Sequence, residues 1–145
     1  MLTCGMMGET LKGACGDMMK TWTTELQTRR TTYQAAVTVM QNGVVVVVGG
    51  GLTHVGTVIL AEPRESLRGD GSWSATSSVI NPLGHLDERP LRREAEKLAA
   101  KLRLRVAVAG GIHLDEISSE DIDGVMEDCG LLFSRIVLQI DQNQG

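Results

Sequence analysis

The chain has 145 residues, 42% apolar and 22% charged, with a formal net charge of −4. That length suits one compact domain of ~100–150 residues, and the apolar fraction excludes a disordered chain. The negative charge excludes a broad nucleic-acid face, and only four aromatics (Trp22, Tyr33, Trp73, Phe133) leave nothing for a base-stacking platform.

Residues 1–30 read as an N-terminal extension. Leu11, Cys15, Met18, Trp22 and Leu26 are spaced as one helical face, and Gly13 and Gly16 weaken that helix by ~1 kcal/mol each. The expectation is a marginal amphipathic helix that needs a partner surface. A domain is predicted over 31–141, with 142–145 as a tail. Tyr33 to Met40 alternates as a strand, Asn42-Gly43 signals a two-residue hairpin turn, and Val44 to Val48 is the returning strand. Five β-branched residues in a row predict burial on both faces. His54 to Ala61 reads as a third strand, Glu62 to Gly71 as a loop, and Trp73 to Ile80 as a fourth strand.

After the Asn81-Pro82-Leu83-Gly84 turn, Asp87 is placed to cap a helix. Pro90 falls in its first turn, where a missing N–H does no harm. Leu91, Ala95, Leu98, Ala99 and Leu102 make its apolar stripe. Val106, Val108 and Gly110 mark a short buried strand. Ser118 or Ser119 caps a last helix, in which Gly124 and Gly130 predict bends or close approaches. The order ββββαβα predicts an α+β fold: two layers, a mainly antiparallel sheet, and helices packed on one face.

Cys4, Cys15 and Cys129 are odd in number, with no C-x-x-C pair, so a disulfide scaffold or thiolate zinc site is not expected. No apolar run approaches the ~20 residues of a membrane span. The expected setting is the cytoplasm.

All three histidines sit beside glycines at element junctions: His54 after Gly49-Gly50-Gly51, His85 after Gly84, and His113 after Gly110-Gly111-Ile112, with Asp115 two residues on. Imidazoles with a carboxylate are a common ligand set for a divalent transition metal. Against this stands the ordinary reading of each histidine as a loop residue or a satisfied core imidazole. Gly50 and Gly51 offer backbone N–H groups to a phosphate, although the run matches neither G-x-x-x-x-G-K-[ST] nor G-x-G-x-x-G. Thr76, Ser77 and Ser78 offer hydroxyls, or simply pair across strands. Arg64 offers a planar fork for an anion.

The blocks His54-Val55-Gly56-Thr57-Val58-Ile59-Leu60-Ala61-Glu62-Pro63-Arg64-Glu65-Ser66-Leu67, Ser74 to Ile80 with Gly84-His85, and Gly110-Gly111-Ile112-His113-Leu114-Asp115 occur in that order. Together they resemble the LpdD-like proteins, accessory subunits of gallate-type UbiD-like decarboxylases described as prenylated-flavin chaperones. The resemblance spans roughly residues 32–140. It implies a non-catalytic carrier of reduced prenylated FMN that delivers the cofactor to a UbiD-like decarboxylase, with a flavin prenyltransferase as a further partner. On this reading Gly50, Gly51, His54, Arg64, Thr76, Ser77, Ser78 and His85 face the cofactor. His54, His85, His113 and Asp115 hold a divalent transition metal. A homodimer is expected on separate grounds, since the marginal N-terminal helix and the valine-rich strand both want cover. Trp73, Met40 or aliphatic side chains would wall the flavin. One departure is Leu86, where the resemblance leads one to expect a lysine; no ligand contact is carried over there. Two other readings stand beside it. One is a metal-dependent, hydrolase-like enzyme with Asp115 or Glu62 as general base; the other is a purely structural decarboxylase subunit.

Overall fold

The computed structural model describes residues 19–82 and 88–144. Its elements are β1 (Lys20–Gln27), β2 (Thr32–Met40), β3 (Gly43–Gly51), β4 (Thr57–Glu65), β5 (Trp73–Ile80), α1 (Glu88–Leu102), β6 (Arg105–His113) and α2 (Ser119–Asn143). The strands form one sheet in the order β1-β2-β3-β6-β4-β5. Every neighbouring pair is antiparallel except the central β3–β6 pair. This is the expected two-layer α+β arrangement, with one strand more than the sequence pattern gave.

The extra strand is β1. Trp22, Thr24 and Leu26 point toward the helices, while Thr21, Thr23 and Glu25 point away. Trp22 and Leu26 are four apart, a spacing shared by a helical face and by alternate strand positions. Thr21, Thr23 and Thr24, with β-branched side chains that favour pleated backbone, and an eight-residue ladder to β2 decide for the strand. The part of the expected helix that precedes Met19 lies outside the described residues, as does Asp87, its candidate cap role included.

The β2–β3 hairpin forms, but its two linking residues are Gln41 and Asn42, because Met40 already pairs with Gly43. Neither Asn42 nor Gly43 adopts a positive φ. Strand β4 begins at Thr57 rather than His54 and runs through Pro63 to Glu65. Proline is tolerated there because β6 pairs only with Thr57 to Ala61, so the Pro63 nitrogen faces no missing ladder bond on that side.

Alternate residues of the central strands build the core. Val37, Val44, Val46, Val48, Ile59, Ala61, Val106 and Val108 lie under Leu91, Ala95, Leu98 and Ala99 of α1 and Leu132, Ile136 and Ile140 of α2. The valine run is therefore buried on one face only. Val47 remains 51% exposed, since both helices lie on the same side of the sheet. Helix α2 is continuous from end to end; a methyl on Gly124 would fall 1.9 Å from the Arg30 guanidinium, so that glycine makes room for a side chain rather than bending the helix. Ser118 caps α2 through a reciprocal capping box with Asp121.

Polar ties join the layers. Asp128 of α2, almost fully buried, accepts from Tyr33 Oη at 3.0 Å, Thr28 Oγ1 at 3.1 Å and Arg30 Nη1 at 3.3 Å. Arg93 Nη2 donates to the Met126 carbonyl at 2.7 Å and its Nε to buried Glu94 at 2.8 Å, joining α1 to α2. Burial, reinforced by the Glu94 and Asp128 carboxylates, pushes the Cys129 thiol up to about 12. Burial and the hydrogen bond to Asp128 hold the Tyr33 phenol above its usual range.

Both groups keep their protons in the native state, while the unfolded chain loses them near pH 9.0 for the thiol and 10.0 for the phenol. Their contribution is thus complete below pH 9 and shrinks as pH rises. Stability should fall between pH 9 and 12 by at most ~1.4 kcal/mol per unit for each group titrating. Urea titrations at pH 8, 9.5 and 11 check this: Cys129→Ala should show a shallower fall than the parent chain, and equal slopes would contradict the assignment.

Candidate functional site

Strands β3, β5 and β6 all run toward the same end of the sheet, and β4 starts from it. Topology thus brings to one end the loop bearing His54, the terminus of β6 bearing His113, and Asn81, which leaves β5 and accepts from Thr57 Oγ1 at 2.6 Å. His85 lies outside the described residues, between Asn81 and Glu88.

The loop of residues 52–56 folds back over the uncovered face of the sheet, and glycines let it lie close. Thr53 rests where a methyl on Gly49 would come within 2.5 Å of its Cγ2, and the His54 imidazole rests where a methyl on Gly111 would come within 2.6 Å of its Cε1. His54 Nδ1 lies 3.1 Å from the Leu52 carbonyl, and the Gly56 N–H donates to the Gly110 carbonyl at 2.8 Å. The His54 and His113 rings meet edge to face, with centroids 6.1 Å apart. His113 Nε2 stands 3.3 Å from Asp115 Oδ1. That contact is made although residues 115–116 turn rather than continue the strand.

Beside His54 the uncovered face dips into a hollow of about 630 Å³. Ala36, Val47 and Ala109 are on its floor; Thr23, Glu25, Gln34, Thr53 and His54 are on its polar rim. The β1 rim residues Thr23 and Glu25 were hidden from sequence reasoning by the helix expectation. The signal that finds them is the alternation of Thr21, Thr23 and Glu25 with Trp22, Thr24 and Leu26.

The other candidate residues are distributed differently. Gly50 faces the helices, giving way to the Tyr33 ring, and Gly51 adopts φ +66° in the β3–β6 ladder. A methyl on Gly51 would lie 1.9 Å from the His113 carbonyl oxygen. Gly51→Ala should therefore destabilise the chain by at least ~2 kcal/mol, combining left-handed strain with a backbone clash. Thermal unfolding checks this, and an unchanged midpoint would contradict it.

Ser77 also faces the helices, donating to Glu96 Oε1 at 2.5 Å and accepting from Arg92 Nε at 2.8 Å. Thr76 and Ser78 lie on the uncovered face of β5, so the three hydroxyls do not act as one cluster. Arg64 Nε donates to Thr76 Oγ1 at 2.9 Å. It stands seven residues along β4 from Thr57, ~23 Å from the histidine end. Trp73 occupies that far end too, stacked by Arg103 at 4.8 Å, and Met40 closes β2 beside the hairpin, so aliphatic side chains alone wall the hollow. Among the described residues, no three His, Cys, Asp or Glu side chains are grouped to hold a metal ion, and no helix is long and apolar enough to cross a membrane.

Residues 27–141 match the model of a family described as the prenylated flavin chaperone LpdD-like domain. None of the curated proteins matches the sequence. Among solved structures, the fold is similar to a chain from the crystal structure of a chaperone complex for yeast 20S proteasome assembly. That likeness has a TM-score of 0.58 at 14% identity, and it covers 88% of this chain and 99% of the other.

Proposed function

Since the chain belongs to the prenylated flavin chaperone LpdD-like family, we propose that it carries reduced prenylated FMN in the hollow beside His54 and hands it to a UbiD-like decarboxylase. The observation that carries this reading is the meeting of the His54 and His113 junctions at one end of the sheet, next to that hollow. Its volume lies within the ~300–1,000 Å³ usual for ligand pockets. A flat apolar floor suits a tricyclic ring, and a polar rim with imidazoles suits a phosphorylated side chain. When bound, the cofactor supplies the redox and electrophilic chemistry of the decarboxylase. This chain's own residues bind it, orient it and keep it from water.

His54, His113 and Asp115 bring two imidazoles and a carboxylate to this end, but they are not grouped to hold a metal ion, so the imidazoles are assigned to the flavin phosphate and no metal is given a part. Arg64, Thr76 and Ser77, remote from the hollow, have no part in holding the flavin. The chain acts in the cytoplasm, consistent with the free thiol of Cys129, and receives its cargo from a flavin prenyltransferase.

A hydrolase-like enzyme is less well supported. Of its two candidate bases, Glu62 is paired with Arg105 at 2.9 Å and lies ~17 Å along β4 from Thr57, while Asp115 stands 3.3 Å from His113 with no nucleophile motif beside it. The test is transfer under anaerobic conditions. Chain loaded with prenylated FMN should activate an apo-decarboxylase faster than the same amount of free cofactor; equal rates would contradict the carrier role.

A further inference from the structure

Among the described residues, one face of the sheet is packed on helices and the other carries only the loop of residues 52–56 at its histidine end. At the middle of the bare face Val47, Val58 and Leu60 are 51%, 41% and 40% exposed, and Ile80 beside them is 72% exposed. Polar residues of β1 and of the far ends of β4 and β5 surround them, which is the anatomy of an interface: apolar centre, polar rim. Six strands ~4.8 Å apart, each eight or nine residues long at ~3.3 Å per residue, give a face of roughly 800 Å². That matches the ~800 Å² each partner contributes to a standard stable interface.

The charge on this face is balanced. Glu25 and Glu62 are matched by Arg64 and Arg105, and Glu62 and Arg105 are already paired. A copy of the same face therefore meets no net repulsion. The hollow lies on this bare face and opens through it, whereas ligand pockets commonly enclose ~70–90% of what they hold. Among the described residues, one chain supplies a floor and part of a rim, with no roof.

We propose that a second copy of this chain stacks its bare face on the first about a two-fold axis parallel to the strands, and that each hollow is roofed by Val58 and Leu60 of the partner subunit. Such an axis keeps the two histidine ends together. It reverses strand order, laying the apolar β4–β5 patch of one copy over the β1–β3 hollow of the other. Aligned face-to-face packing of this kind is an ordinary way for two sheets to bury their faces. The identity of the ligand rests on the flavin reading; the interface does not.

The test uses the full chain, first without any flavin. Light scattering should give twice the 15.6 kDa of one chain, and Leu60→Glu should give a monomer with an unchanged circular dichroism spectrum. Ile80→Glu on β5, outside the hollow, should repeat that result should Leu60→Glu fail to fold, and Leu138→Glu on the outer side of α2 should stay dimeric. Titration with FMN as the probe should then show binding at least tenfold weaker in the monomeric variant than in the parent chain. A monomeric parent chain, meaning that residues 1–18 or another protein cover the sheet, overturns the proposal, as does a dimeric Leu60→Glu. A Leu60→Glu monomer that binds FMN as tightly as the parent overturns the shared hollow. A parent dimer that ignores FMN, with Leu60→Glu monomeric, supports the interface and defeats the flavin reading instead.

Discussion

Asp128→Ala should cost the fold about 3–5 kcal/mol, the loss expected when one partner of a buried ion pair is removed. The carboxylate sits on α2 under the turn that joins β1 to β2, and it gathers Arg30, Tyr33 and Thr28 from that turn and its strand. Without it the Arg30 charge is left buried, with its Nε already lacking a partner. The Tyr33 hydroxyl, in a residue that is 0% exposed, loses its acceptor. Net stabilities of domains run ~5–15 kcal/mol, so this change removes a large share. Asp128→Asn, which keeps an acceptor for Tyr33, should cost clearly less. Urea unfolding at neutral pH measures both; an Asp128→Ala variant within 1 kcal/mol of the parent would show that the cluster does not hold the layers together.

Gly111→Ala should abolish flavin binding while leaving most of the stability intact. Its added methyl would stand 2.6 Å from His54 Cε1 and 2.7 Å from Nε2, so the imidazole must leave its seat on β6 and with it the edge-to-face meeting with His113. The displaced group is a half-buried side chain on a loop, outside the hydrophobic core, so the core is left in place. The expected result is at least a tenfold loss of FMN affinity, with a thermal midpoint within a few degrees of the parent. His54→Ala should weaken binding comparably, since both changes remove the same ring from the same place. Unchanged affinity in Gly111→Ala would contradict the role given to the loop of residues 52–56.

Much of this fold was legible because its signals are local. Period-2 alternation marks β2, the Leu91–Leu102 stripe marks α1, and Ser118 with Asp121 marks the start of α2. What misled was ambiguity that only tertiary context resolves. A spacing of four fits a strand as well as a helix, so Trp22 and Leu26 did not reveal β1. The valine run suggested cover on both faces, but whether a second layer exists is a property of the helices' placement, not of the strand.

Two of the glycine-flanked histidines, His54 and His113, meet at one end of the sheet, where Gly111 makes room for the His54 ring. The hydroxyl run of Thr76, Ser77 and Ser78 misled because neighbouring residues on a strand face opposite sides. Arg64 was near His54 in sequence yet is remote in space, because a strand carries a chain away faster than any other element. The hollow itself, with Thr23, Glu25 and Gln34 on its rim, is assembled from β1, β2, β3 and β6, and of their adjacencies only the β2–β3 hairpin carries a local signal.

The most direct measurement is of the cargo. The chain is co-expressed with a flavin prenyltransferase and purified without oxygen, and the bound material is read by absorbance and mass spectrometry. The account predicts near-stoichiometric prenylated FMN on the parent chain and little on a His54→Ala, His113→Ala double variant that still folds. A colourless parent chain, or equal loading of the double variant, would contradict it.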